Sequence, residues 1–214
     1  LVGCPHEQLI GKTDADIFPT EQVAIFSKID HHVLDSGEDN INEEQVTNAR
    51  TGETRTIVTR KARYIDSDGK RFIVGVTRDI TERKRVEEWL QLSERAIAAS
   101  SNGIAIVDAT LPDNPLIFVN PAFERNTGYS AAEVLGRNCR FLQGKDRHQP
   151  ALKTIRNALK NQESCTVVLR NYRRDGSLFW NELNISPIFD YRGNLTHYLG
   201  IQNFLLIRGD ALKS

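Results

Sequence analysis

In the second half of the chain, apolar positions recur with a period of two in short runs and with a helical period between them. GIAIVD (103–108) and PLIFVN (115–120) read as two strands joined by the turn-rich DATLPDN, a hairpin pattern. Asn120 stands before Pro121 as an N-cap and Gly128 supplies the stop, which predicts a short helix between them. Ser130 and Glu133 form a capping box for a second short helix ended by Gly136. Over about 150–161, Leu152, Ile155 and Leu159 fall on one helical face. CTVVLRNY, LFWNELNIS and THYLGIQNFLLI then read as three strands joined at the Gly-containing turns RRDG and YRGN. Two strands, several short helices and three strands predict an α+β domain, one antiparallel sheet with helices on one face.

The first half repeats this organisation. GCPHEQLIGK (3–12) matches GYSAAEVLGR (128–137) with Gly3 on Gly128 and Gly11 on Gly136, an offset of 125 residues. DSDGKRFIVGV (66–76) resembles DYRGNLTHYLGI (190–201) with one residue inserted. A period this long marks duplicated domains and not a solenoid, whose units run to roughly 20–50 residues. By the same offset, the first copy is expected to lack its opening strands, which would leave an open sheet edge. It is expected to be partly disordered or completed by another chain. Between the copies, TERKRVEEWLQLSERAIA (81–98) has no Gly or Pro. Val86, Leu90 and Ile97 lie at helical spacing, and Arg83/Glu87 and Lys84/Glu88 stand as i,i+4 pairs. An amphipathic linker helix is expected, packed on its own domain or paired in a short parallel coiled coil.

Composition narrows the class of function. Acidic and basic residues balance at 28 each, so no basic field calls for nucleic acid or an anionic membrane. No apolar run is long enough to span a bilayer and LVGCPHEQLI lacks the parts of a signal peptide, so a cytoplasmic location is expected. Cys4, Cys139 and Cys165 are three cysteines at wide spacing, unsuited to a disulfide framework or a zinc site, and no metal is expected. The chain contains no methionine and is expected to be part of something longer.

Strand alternation nominates a site. Val167, Leu169 and Asn171 share one face, as do Phe179, Asn181, Leu183 and Ile185, while Gln202 shares one with Tyr198, Gly200 and Phe204. Three amides among inward apolar residues need partners, since each unpartnered buried amide costs on the order of 1–3 kcal/mol. One such residue alone would satisfy backbone or water. Three on neighbouring strands suit the edge of a flat heterocycle that alternates donors and acceptors. Arg140 and Arg156 add guanidinium forks of the kind that hold phosphate.

GRNCRFLQG (136–144), the LPDNP turn, IR at 155–156, NYRRDG, FWN and GIQN together resemble the LOV (light-oxygen-voltage) subfamily of PAS domains, the flavin-binding blue-light receptors. The resemblance covers about 97–203. The first copy, ending in GVTRDITERK, resembles an ordinary PAS domain leading into a signalling helix. The implied organisation is a truncated PAS domain at 1–82, a linker helix at 83–96 and a LOV domain at 97–208. The resemblance implies FMN as cofactor, with Asn138 and Gln143 at the ribityl chain and Arg140 and Arg156 on the phosphate. Asn171, Asn181 and Gln202 would hold the polar ring edge. In that family blue light excites the flavin, and the cysteine at the position of Cys139 adds through sulfur to ring carbon C4a, reverting in the dark. Flavin N5 then becomes a donor, and a rotated Gln202 amide would carry the change into the sheet.

The implied role is a sensory module and not itself an enzyme, coupled to an effector such as a histidine kinase or a cyclic-nucleotide enzyme. A homodimer through the linker helix or the outer sheet face is expected, that face being apolar at Val168, Trp180, Leu199 and Ile201. Copy one has Thr13, Asp14 and Ala15 where copy two has Asn138, Cys139 and Arg140, so it lacks the thiol. After GIQN the chain continues as FLLIRGDALKS, where the family usually continues with an acidic residue and a helix. Two other readings remain at this point: a flavin redox protein with an incidental cysteine, disfavoured by the lack of a nicotinamide-binding Gly-rich loop, and a purely structural PAS pair.

Overall fold

The computed structural model describes residue 7, residues 9–48 and residues 51–205. Cys4 and the terminal RGDALKS lie outside the described residues, as do the last two positions expected to prolong the final strand. The chain divides into two compact units, Leu1–Gln91 and Leu92–Ser214.

In the first unit a 3-10 turn at Asp14–Asp16 precedes helix α1 (Thr20–Ser36). Strands β1 (Asn40–Thr47), β2 (Thr54–Ile65) and β3 (Arg71–Asp79) follow in an antiparallel sheet of order β1-β2-β3. The α1 helix ends at Gly37, whose φ of 76° is the left-handed conformation that lets its N–H reach Val33 O at 3.0 Å. Phe26 of α1 packs with Val46 and Ile57 of the sheet, and Phe18 meets Phe26 edge to face. Lys61, on the same face, pairs with Asp30 at 2.5 Å. At the end of β3, Asp79 accepts hydrogen bonds from the Thr81 amide and hydroxyl and pairs with Arg55 at 3.0 Å. Those contacts hold its carboxyl down at about 2.

The predicted linker helix forms as α2, Thr81–Ala99. Its ion pairs are not the i,i+4 pairs expected: Lys84 reaches Glu43 on β1 at 2.8 Å, and Arg85 pairs with Glu82. A β-strand carboxylate within reach competes with local partners, because exposed helical pairs are individually worth only a few tenths of a kcal/mol, about 0.2–0.5. Val86 and Leu90 stay exposed and Ile97 is half-buried.

The second unit contains β4 (Gly103–Asp108), β5 (Leu116–Val119), α3 (Pro121–Thr127), α4 (Ala131–Val134), a 3-10 turn at Cys139–Gln143, α5 (Ala151–Asn161), β6 (Cys165–Tyr172), β7 (Leu178–Phe189) and β8 (Leu195–Leu205). Its antiparallel sheet has order β5-β4-β8-β7-β6, so the last strand lies beside the first. This is the α+β architecture expected from the pattern. Asn120 caps α3 as predicted, and Ser130 and Glu133 form the capping box of α4. The α4 helix closes at Val134, with Gly136 two residues further on at φ 80°.

Asn120 does more than cap. Fully buried, its Oδ1 accepts from Ile104 N at 2.8 Å and Phe123 N at 2.9 Å, while its Nδ2 donates to Ile97 O and Asn102 O. One amide thereby fastens the end of α2 to β4 and α3. Ala105, Leu116, Phe123, Val134 and Leu142 make one buried cluster, and Leu152 of α5 makes a second with Val167 and Leu169 of β6. The Tyr198 hydroxyl of β8 donates to Leu159 O at 2.9 Å and fixes the far end of α5. On the outer face Val168 is exposed, and Trp180, Leu199 and Ile201 are half-buried.

Candidate functional site

Between the inner face of the second sheet, the Cys139–Gln143 turn and α5 lies a cavity of about 430 Å³, within the size range of ligand pockets, roughly 300–1,000 Å³. Asn138, Cys139, Arg140, Gln143, Arg156, Asn171, Asn181 and Gln202 all line it. Leu142, Leu169, Leu183 and Ile185 give it apolar walls.

Three adjacent strands carry the polar edge. Asn171 on β6 and Asn181 on β7 are almost wholly buried and joined by Asn181 Nδ2 donating to Asn171 Oδ1 at 2.9 Å. Asn171 Nδ2 is taken by Arg170 O. Asn181 Oδ1 and Gln202 Oε1 are buried acceptors with no hydrogen-bond donor among the described residues. Such groups are rare in folded proteins and costly, on the order of 1–3 kcal/mol each. Gln202 is 3 % exposed and sits opposite Gly103 of β4. A Cβ at position 103 would come within 3.0 Å of Gln202 Oε1, so glycine there makes room for the amide.

The thiol comes from a local structure built by its neighbours. Asn138 caps the 3-10 turn, its Oδ1 accepting from Arg140 N at 2.9 Å. Cys139 packs against the Leu116 and Phe123 cluster, with its remaining surface toward the cavity. Desolvation pushes its thiol up to about 12, so the sulfur is protonated at neutral pH. Among the described residues, no cationic or basic group offsets this. In the first unit the 3-10 turn of Asp14–Asp16 recurs at the same offset of 125, with Thr13 as its N-cap and Asp14 where Cys139 stands.

At the mouth, Arg140 pairs with the carboxylate of Asp113, whose carbonyl also accepts from Asn138 Nδ2. Asp113 and Asn114 adopt left-handed backbone conformations, φ 68° and 45°, in the hairpin loop between β4 and β5. In the sequence, LPDNP stands out only as part of a motif, and nothing in it announces this role for Asp113. The same holds for Asn114 and Arg147, which line the cavity, and for Gln149, which fastens the loop before α5 to β6. A polar loop with Asp-Asn before Pro was the only available signal. Among the described residues, no group of His, Cys, Asp and Glu is placed to hold a metal ion, and no helix is long and apolar enough to cross a membrane.

A family model described as PAS domain matches residues 101–203, and one described as PAS fold matches residues 1–85. Over 117 residues the chain is 48% identical to a bacterioopsin transcriptional activator of Halobacterium salinarum, covering 55% of this chain and 17% of that protein. Over 108 residues it is 46% identical to a blue-light photoreceptor of Listeria monocytogenes, covering 50% of this chain and 42% of that protein. The crystal structure of a Rhodobacter sphaeroides LOV protein superposes with a TM-score of 0.50 at 36% identity, over 58% of this chain and 71% of that one. The chain belongs to the PAS superfamily and carries a LOV domain. It spans less than half the length of either of the two relatives.

The cavity lies wholly within this LOV domain, and its residues fit a flavin on their own terms. Two unpartnered acceptors and a donor-bearing amide row suit a heterocyclic edge, the leucine and isoleucine walls suit a flat ring, and the guanidinium groups suit a phosphate.

Proposed function

We propose that this chain is the blue-light sensory part of a longer signalling protein, with FMN held in the LOV cavity. The observation that carries the reading is one arrangement: a neutral Cys139 thiol lining the same cavity as Asn181 and Gln202, whose buried oxygens have no protein donor among the described residues. Asn171, Asn181 and Gln202 would hold the polar edge of the ring, Asn138 and Gln143 the ribityl chain, and Arg140 and Arg156 the phosphate. Bound there, the flavin would supply blue-light absorption and an excited ring carbon to which sulfur adds.

Cys139 needs no base in this scheme. A thermal nucleophile would require a partner that lowers its pKa, and burial does the opposite here. The turn instead holds the sulfur against the cavity, which converts an encounter into an intramolecular step. On bonding, the Cys139 sulfur would give up its proton to the ring, and in the dark it would take that proton back as the bond breaks.

Gln202 is suited to report the event. Its Oε1 is not committed to any protein donor among the described residues, so the amide is free to exchange the atom it offers to the ring. It lies on β8, between β4 and β7, and reorientation there acts on the centre of the sheet. The half-buried apolar outer face and the exposed Val86 and Leu90 of α2 are the surfaces through which a homodimer or an effector, such as a histidine kinase, would read the change. The first copy, a PAS domain with Asp14 in place of the thiol, takes no part in the photochemistry.

The test is the visible spectrum of the protein reconstituted with FMN. Blue light should remove the flavin absorption band and darkness should restore it, in wild type and not in Cys139→Ala. A wild-type spectrum that blue light leaves unchanged would contradict the reading.

A further inference from the structure

Three guanidinium groups line the cavity, Arg140, Arg147 and Arg156, and the phosphate reading uses only two. Arg140 is already paired with the Asp113 carboxylate. Together, Arg140, Arg156 and Asp113 therefore leave one net positive charge at the mouth. A phosphate monoester carries about −1.5 to −2 at pH 7. A second positive charge is needed, and Arg147 is the further cation lining the cavity.

Its loop is built to hold it there. Gln149, 7 % exposed, donates to Asp146 O and Arg170 O and accepts from Arg170 N at 2.7 Å. Asp146 grips the Arg170 guanidinium with both carboxylate oxygens, at 2.6 and 3.2 Å. Gly144 takes φ 56° against the Tyr172 ring. Between these anchors, Arg147 spends Nε on Gly144 O at 3.3 Å, and its terminal nitrogens have no protein partner among the described residues.

We propose that Arg147 is a third phosphate-recognising group and a specificity-determining residue, selecting a phosphorylated flavin over the same ring without phosphate. This rests on the flavin reading of the cavity. A fork-shaped donor set with free terminal nitrogens binds phosphate oxygens by charge-assisted hydrogen bonds, whereas riboflavin offers it only a neutral terminal hydroxyl in their place.

The test is titration of flavin-free protein with FMN and, separately, with riboflavin, followed by quenching of flavin fluorescence, for wild type, Arg147→Ala and Arg147→Lys. Wild type should prefer FMN. Arg147→Ala should lose about tenfold of that preference with riboflavin affinity unchanged, the equivalent of one charge-assisted hydrogen bond, and Arg147→Lys should recover part of it. An unchanged preference in Arg147→Ala, or equal weakening toward both flavins, overturns the role of Arg147 and leaves the flavin reading intact. Wild type that binds neither flavin overturns both.

Discussion

Replacing Gln202 by leucine should stabilise the flavin-free protein while disconnecting the sheet from light. The wild-type side chain is 3 % exposed, its Oε1 has no donor, and it makes no side-chain hydrogen bond among the described residues. Removing an unpartnered buried amide recovers roughly 1–3 kcal/mol, and leucine fills nearly the same volume. The LOV unit spans Leu92–Ser214, for which 1 kcal/mol moves the melting temperature by about 4 °C, so a rise of about 4–12 °C is expected without flavin. With FMN the sign reverses, because the ring loses a partner: affinity should fall by about 5- to 10-fold, one hydrogen bond. The assay is thermal unfolding with and without FMN, following the transition that flavin addition moves, together with blue-light bleaching and light-dependent hydrogen exchange in β8 and β4. Bleaching should persist in Gln202→Leu, and the exchange difference should vanish. A lower flavin-free melting temperature would refute the reasoning, since it would mean that Gln202 has a protein partner. An undiminished exchange difference would refute the amide relay.

Other outcomes follow from single contacts. Asn120→Ala removes four hydrogen bonds from a fully buried site and should cost about 2–4 kcal/mol by urea denaturation, with a loss below about 1 kcal/mol excluding its role as a fastener. The Cys139 thiol, held near 12 in the folded chain, has a raised pKa relative to the ordinary value of about 8.5. Its contribution to stability is therefore complete below about pH 8.5 and is lost as pH rises toward 12, so flavin-free wild type should lose about 1–2 kcal/mol relative to Cys139→Ala by pH 10. A difference between the two that stays constant from about pH 7 to 10 would show that the thiol is not desolvated. Gly103→Ala should push against Gln202 Oε1 and weaken flavin binding severalfold, measured by the same titration; unchanged affinity would mean the amide has room to move aside.

Much of this was legible from local pattern. Period-two alternation placed Asn171, Asn181 and Gln202 on an inward face, because strand geometry sends every second side chain the same way whatever the tertiary context. Asn120 and Ser130 marked helix starts because capping is satisfied within a few residues. The rest depends on contacts between residues far apart in sequence. Asp113 reaches Arg140 and Asn138 only through two left-handed residues in a turn, a conformation that Asp and Asn tolerate but do not announce. Gln149 and Arg170 meet across 21 residues, and Lys84 takes Glu43 in preference to its own helical neighbours. Such pairings are decided by how elements dock, which no window of sequence contains. The two unpartnered oxygens belong to the same class: the pattern showed amides facing inward, and only the packed sheet shows that two of them find no donor among the described residues.

The most direct test of the central claim is the light-minus-dark infrared difference spectrum of the FMN-bound protein in the S–H stretching region. If Cys139 sulfur is the group that bonds when the flavin is excited, one S–H band should disappear under blue light and return in darkness, and Cys139→Ala should show no such change although it still binds FMN. An unaltered S–H region in wild type, or a band loss that persists in Cys139→Ala, would contradict it.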